Sequence, residues 1–213
     1  YAHVPWFAKH QKAINESDLP GLAERMRQAE AAECVLLAEG YEAIGFDHYA
    51  RPGDGLAIAT EAGQLRRNFQ GYTDDTSPYL IGIGQTSISR FPEGYAQSHK
   101  GLLDWRASVL ADELPIARGI ALTADDRMRA YAIERLMCDL SVDLGEVAHQ
   151  FGARPGVFDD ALGPLNTLAA RGLCTLEGRR VTVPADAKLL IRNVAATLDA
   201  RLVQARERHA IAG

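Results

Sequence analysis

The segment Arg66-Arg67-Asn68-Phe69-Gln70-Gly71-Tyr72-Thr73 gathers residue types that recognise a flat ligand. Phe69 and Tyr72 offer faces for stacking, and the Gln70 amide offers a donor and acceptors for a ring edge. Gly71 lets the backbone come close to whatever is bound. Spacing alone leaves a second reading open, because the same composition also builds turns that tuck an aromatic under a sheet. Asp47 and His48, followed by Tyr49-Ala50-Arg51-Pro52-Gly53-Asp54, form another polar cluster. Both are candidate site residues. The alternatives are a His48 imidazole bound to a nearby loop backbone and an Asp47 carboxylate capping the next turn.

The elements that must hold these residues follow from periodicity. Tyr1-Ala2-His3-Val4-Pro5-Trp6 reads as the end of a strand already under way. Ser17-Asp18-Leu19-Pro20 starts a helix whose apolar positions recur through Leu22, Met26, Ala29, Cys34 and Leu37 to a stop at Gly40. Residues 41–47 then read as a strand, so strand, helix and strand make the unit of an α/β barrel or open sheet. In such folds ligands bind at the carboxyl ends of the strands, where Asp47, His48 and the residues after Tyr1 fall. A short helix is expected over Gly55 to Leu65, with Arg66-Arg67 at its cationic end. Leu80 to Gly84 reads as a strand so rich in glycine that another backbone or a flat ligand should approach it, with Ile88 at its far end. Strands at 94–97 and 116–122 flank a helix over 100–113.

After Leu122 the pattern turns helical, and a domain boundary is expected there, dividing the chain into 1–121 and 122–213. Thr123-Ala124-Asp125-Asp126 starts one helix, residues 142–151 form a second, and 158–170 form a third, interrupted at Gly163-Pro164. A hairpin turning at Glu177-Gly178 follows, and a long helix over 185–208 closes the chain. This is a winged-helix outline, which raises DNA binding as a competing function. Its would-be recognition helix carries Asp159 and Asp160 with only Arg171 at its end, the wrong charge for phosphates and base edges. The net charge of −5 and pI near 5.7 argue the same way.

The 213 residues are 47% hydrophobic, enough for one large core or two small ones. No apolar run approaches the ~20 residues of a membrane helix, and no feature directs the chain out of the cytosol. Cys34, Cys138 and Cys174 are far apart in apolar segments and read as buried thiols. None forms the close pairs that zinc or iron-sulfur sites draw on, so no metal ligand is assigned.

Five stretches together carry a family likeness: residues 1–6, 40–54, 67–73, 82–89 and 190–194. With Asp47-His48-Tyr49-Ala50-Arg51-Pro52 and Asn68-Phe69-Gln70-Gly71-Tyr72-Thr73 as its most specific motifs, the chain resembles the carboxyl-terminal portion of oxygen-independent coproporphyrinogen III oxidase. The resemblance implies a radical S-adenosylmethionine enzyme: the end of a partial TIM-like α/β barrel, then a mainly α, winged-helix-like C-terminal domain. It implies oxidative decarboxylation of two propionates of coproporphyrinogen III to vinyl groups, in heme synthesis without oxygen, by way of a 5'-deoxyadenosyl radical. The implied cofactors are S-adenosylmethionine and a 4Fe-4S cluster held by three closely spaced cysteines, which fall upstream of Tyr1, so this stretch alone should be inactive. An electron donor, a cytoplasmic location and a monomeric full-length enzyme are implied as well. By the same transfer, Phe69, Gln70 and Ile88 contact a second S-adenosylmethionine and Ala2 contacts the first. Asp47 and His48 receive no role. Heme chaperones of the same superfamily are the other class; they typically replace Phe69-Gln70-Gly71-Tyr72-Thr73 with a segment ending in Tyr-Trp, which this chain does not.

Overall fold

The computed structural model describes residues 15–202, so Ala2, the expected strand over 1–6 and residues 203–208 of the expected closing helix lie outside the described residues. Two compact units are formed: Tyr1–Asp74 with Tyr131–Gly213, and Asp75–Ala130.

In the first stretch of the first unit, helix α1 spans Leu22–Ala38, four residues later than the Asp18 signal suggested, because Glu16–Asp18 is used up in a 3₁₀ turn. Its end follows the glycine rule. Gly40 takes φ +81°, its N–H donates to Leu37 O, and Tyr41 N–H donates to Leu36 O, so two carbonyls of the last turn find partners. The expected single strand over 41–47 is instead a hairpin: β1 (Glu42–Ile44) pairs antiparallel with β2 (His48–Ala50). Gly45 at φ +59° makes the reversal possible, and a Cβ there would lie 2.1 Å from the Tyr72 ring. His48 therefore opens a returning strand rather than a loop beyond a barrel strand.

Helix α2 (Gly55–Glu61) is capped by Asp54, whose Oδ1 accepts from Leu56 N at 2.9 Å, a type of contact contributing about 1 kcal/mol. It stops four residues short of Leu65, and Arg66–Arg67 is not its cationic end but strand β3, paired with β4 (Tyr72–Thr73).

The second unit is a three-stranded antiparallel sheet in the order β5-β6-β7, from Ile88–Phe91, Gly94–Ser98 and Ile116–Ala121. Helix α3 (Leu102–Leu110) connects the last two. Residues 80–84 are not a strand; only an isolated bridge joins Leu80 to Arg90. The close approach expected of those glycines is present, since a Cβ on Gly82 would meet the Ile88 carbonyl at 2.7 Å. Helix α4 (Ala124–Asp139) begins here with reciprocal caps. Asp126 N–H donates to Thr123 Oγ1 at 3.1 Å, and Thr123 N–H donates to Asp126 Oδ2 at 2.8 Å.

The remainder of the first unit has the winged-helix outline. Strand β8 (Ser141–Asp143), which the sequence pattern had merged into the following helix, precedes α5 (Leu144–Gln150). Helix α6 (Asp159–Ala169) runs through Pro164 without the expected interruption, and β9 (Thr175–Glu177) and β10 (Arg180–Thr182) turn at Gly178. The sheet order is β8-β10-β9. The expected long closing helix is broken into a 3₁₀ turn at Ala185–Leu190, α7 (Ile191–Ala195) and a second 3₁₀ turn at Ala196–Leu198. Leu136, Leu144, Phe158, Leu165, Val181, Ile191, Val194 and Leu198 are fully buried here, each such side chain contributing ~1.5–3 kcal/mol by leaving water.

Candidate functional site

The β3–β4 hairpin positions the loop on which the sequence analysis opened. Asn68 organises it twice: its N–H donates to Gly71 O at 2.9 Å, and its side-chain Oδ1 accepts from Gln70 N at 2.8 Å and Gly71 N at 3.3 Å. Those bonds use the loop's inward polar groups and leave Phe69 and Gln70 exposed, with Phe69 retaining 48% of its accessible surface. Gly71 at φ +147° adopts a backbone closed to most side chains. An exposed aromatic beside an exposed amide, on a loop braced from within, suits a planar ligand with polar edges. Ile88 is half-buried at the start of β5, opposite Gln97, and belongs to the other compact unit.

Tyr72 does not share that role. It is buried, its hydroxyl donates to Met137 O at 2.7 Å, and Phe46 N–H donates to it at 3.3 Å. Burial pushes its phenol up to about 12, against the opposing pull of the Phe46 bond and the Arg67 charge. Tyr72 ties the loop's second strand to the last turn of α4 and to the turn of the β1–β2 hairpin.

That turn carries Asp47, whose Oδ1 lies 2.7 Å from His48 Nδ1. Neither alternative considered from sequence describes them, since His48 engages its neighbour's carboxylate rather than a loop backbone. The His48 ring stands edge-on to Tyr72 at 5.1 Å between centroids. Arg192 of α7 reaches Asp47 Oδ2 at 3.9 Å.

Sequence reasoning gave the arginines around this cluster no role in a site and read Arg66-Arg67 as a helix end. Strand alternation sends Arg66 and Arg67 to opposite faces. Arg66 Nε donates to Glu134 Oε1 at 2.7 Å, and that oxygen also accepts Arg67 N–H at 3.0 Å. The Glu134 hydrogen bond holds the Arg66 guanidinium above its ordinary pKa. Arg67, by contrast, lies over two rings, 5.5 Å from Tyr72 and 5.8 Å from Phe46, while Arg192 lies 4.9 Å from Phe46. The period-two pattern of a strand was the available signal for Arg67, and it was hidden because the pair read as a helix end.

The cysteines do not fit a metal cluster. Cys34 is exposed, whereas Cys138 and Cys174 are buried, and burial pushes the Cys138 thiol up to about 12, disfavouring the thiolate a metal needs. No group of three His, Cys, Asp or Glu suited to a metal ion occurs among the described residues.

Comparison with known proteins turns on extent as much as identity. The oxygen-independent coproporphyrinogen III oxidase of Bradyrhizobium diazoefficiens is 43% identical over 209 residues, 98% of this chain and 46% of that protein. The chain is similar over nearly its whole length to members of the oxygen-independent coproporphyrinogen III oxidase family. The family member from Paracoccus denitrificans is 49% identical over 152 residues, covering 71% of this chain and 34% of its own length. Residues 122–190 match the HemN C-terminal domain family. Among solved structures, the Escherichia coli coproporphyrinogen III oxidase HemN, described as a radical SAM enzyme, superposes with a TM-score of 0.85. It is 36% identical, and the match covers 94% of this chain and 46% of that one. The chain thus spans less than half the length of these relatives and corresponds to their C-terminal portion.

Proposed function

We propose that this chain is the C-terminal portion of an enzyme that oxidatively decarboxylates two propionates of coproporphyrinogen III, and that its own contribution is binding. Within that reading, the exposed Phe69-Gln70 pair on the Asn68-braced loop contacts a second S-adenosylmethionine, with Ile88 as a further contact, and Ala2 contacts the first. The observation that carries the reading is the exposure of both side chains on a loop whose polar backbone is already satisfied. Phe69 would offer a face to the adenine, and the Gln70 amide would bond its edge or the ribose. The 4Fe-4S cluster would supply the electron that cleaves the adenosylmethionine. It has no ligands among the described residues, and the protein as its gene encodes it would have to provide them, along with access for an electron donor. No step is assigned to this chain's thiols.

The division at residue 122 remains our proposal for the domains of the whole enzyme, supported by the start of the HemN C-terminal match. A monomeric state and a cytoplasmic location are further parts of the proposal; no described helix is long and apolar enough to cross a membrane. Against nucleic-acid binding, the two wing arginines already face carboxylates: Arg179 meets Asp159 at 2.6 Å, and Arg180 meets Asp143 at 3.4 Å and Glu146 at 3.6 Å.

The test is Gln70→Ala in the protein as its gene encodes it. Loss of a ligand hydrogen bond worth about 1–1.5 kcal/mol should lower turnover about tenfold, with iron and sulfide content unchanged. Turnover equal to that of the parent protein would remove Gln70 from the site.

A further inference from the structure

We infer that Arg67 and Arg192 form a carboxylate-binding clamp beside the Phe69-Gln70 loop; the inference rests on the functional reading above and adds the anchoring chemistry that it lacks. Arginines are normally matched by acids where they pack into a fold, and the neighbouring Arg66 shows the pattern with its Glu134 partner. Arg67 departs from it. Among the described residues no carboxylate lies within salt-bridge distance of its guanidinium, and its Nε is buried with no hydrogen-bond partner. What holds it are the Tyr72 and Phe46 rings, both buried, with the backbone fixed by the Glu134 bond to Arg67 N–H.

The cation is thus oriented before any ligand arrives and carries no internal countercharge. A guanidinium so fixed loses little freedom when it accepts a bidentate carboxylate. Arg192 adds a second cation over the same Phe46 ring, and it is exposed. Its contact with Asp47, at 3.9 Å, is a long one. Asp47 is the carboxylate that contacts Arg192, and its other oxygen is taken by His48 Nδ1. With Nδ1 donating to that carboxylate, His48 Nε2, on the side of Gly71 where an added Cβ would lie 3.5 Å away, is an acceptor in the neutral ring and adds no contact to a carboxylate. With Arg66 cancelled by Glu134 and Arg192 set against Asp47, Arg67 leaves one positive charge in excess.

Two ligands of the proposed reaction carry carboxylates, the tetrapyrrole through its propionates and adenosylmethionine through its amino-acid end. The clamp fits either, and separate titrations of the protein as its gene encodes it distinguish them. Coproporphyrin III binding is followed by fluorescence and S-adenosylhomocysteine binding by calorimetry, for the parent, Arg67→Gln, Arg192→Gln and Arg67→Lys. Arg25→Gln on the exposed face of α1 serves as a control of equal net charge. Loss of a charge-assisted bidentate contact weakens binding roughly ten- to hundredfold. The expected result is that loss for one ligand in Arg67→Gln, a smaller loss in Arg192→Gln, partial retention in Arg67→Lys and parent affinity in Arg25→Gln. Whichever ligand is affected owns the carboxylate. Equal binding of both ligands by the parent and both glutamine variants, with unchanged circular dichroism, overturns the clamp while leaving the functional reading intact. A parent protein that binds no coproporphyrin III overturns the tetrapyrrole reading, and the clamp is then decided by the S-adenosylhomocysteine series alone.

Discussion

Replacing Tyr72 by Phe removes one oxygen and should unsettle the whole candidate site. The hydroxyl donates to Met137 O in the last turn of α4, where a helix has no intrahelical donors left, and accepts from Phe46 N–H in the β1–β2 turn. Its neighbourhood is dry: Tyr72, Phe46 and Met137 are 9%, 5% and 3% exposed, so water does not readily replace the lost group. Each stranded backbone group costs about 1–3 kcal/mol, and with partial relaxation the pair should cost ~2–4 kcal/mol. Urea denaturation would read this as a lower midpoint with an unchanged slope, because no surface is newly exposed in the native state. Hydrogen exchange gives the local readout, since the Phe46 amide should lose protection while amides within β10 keep theirs. A destabilisation below ~0.5 kcal/mol with the Phe46 amide still protected would refute the assignment of Tyr72 as the tie between loop, turn and helix.

Two other outcomes follow from the same neighbourhood. Glu134→Gln should destabilise the first unit by about 1–3 kcal/mol, because the amide keeps a hydrogen bond but leaves the Arg66 charge unmatched; a thermal midpoint equal to the parent's would contradict it. Stability should also decline at alkaline pH. The Cys138 and Tyr72 groups, at about 12 in the folded chain, lie above their ordinary values of 9.0 and 10.0. Both are stabilising in their protonated forms, and the contribution drains away from about pH 9 to 12 for Cys138 and from about 10 to 12 for Tyr72, at up to ~1.4 kcal/mol per pH unit for each group. Urea midpoints in Tyr72→Phe should lose part of that slope, and an identical slope would count against the buried phenol.

How far the sequence reaches is clearest where short-range and long-range forces divide. Caps and glycine stops are local chemistry, so the Thr123-Asp126 helix start, the Gly40 stop and the Gly178 turn are where the residues place them. The Asn68 loop was legible for the same reason: its glycine and small polar residues need nothing beyond the hairpin itself. Strands β3, β4 and β8 were not legible, because two or three residues show no period to detect and no glycine turn marks them as Gly178 marks β9 and β10; they exist through pairing with partners. The β1–β2 reversal was missed because Phe46 and Asp47 look like the continuation of a strand, and only Gly45 betrays it.

The site inherits this division. Phe69 and Gln70 could be singled out because an aromatic and an amide beside a glycine announce a surface that meets something. Arg67, Arg192, Glu134 and the true role of Tyr72 could not, because each is defined by a residue more than 20 positions away or by the absence of a partner. An arginine's letter is the same whether a carboxylate answers it or not. Arg66 and Arg67 are adjacent and identical in type, yet the strand turns one toward Glu134 and the other onto two rings. The pleat, not the composition, therefore decides which of the two cations is spent on the fold and which is left for a ligand.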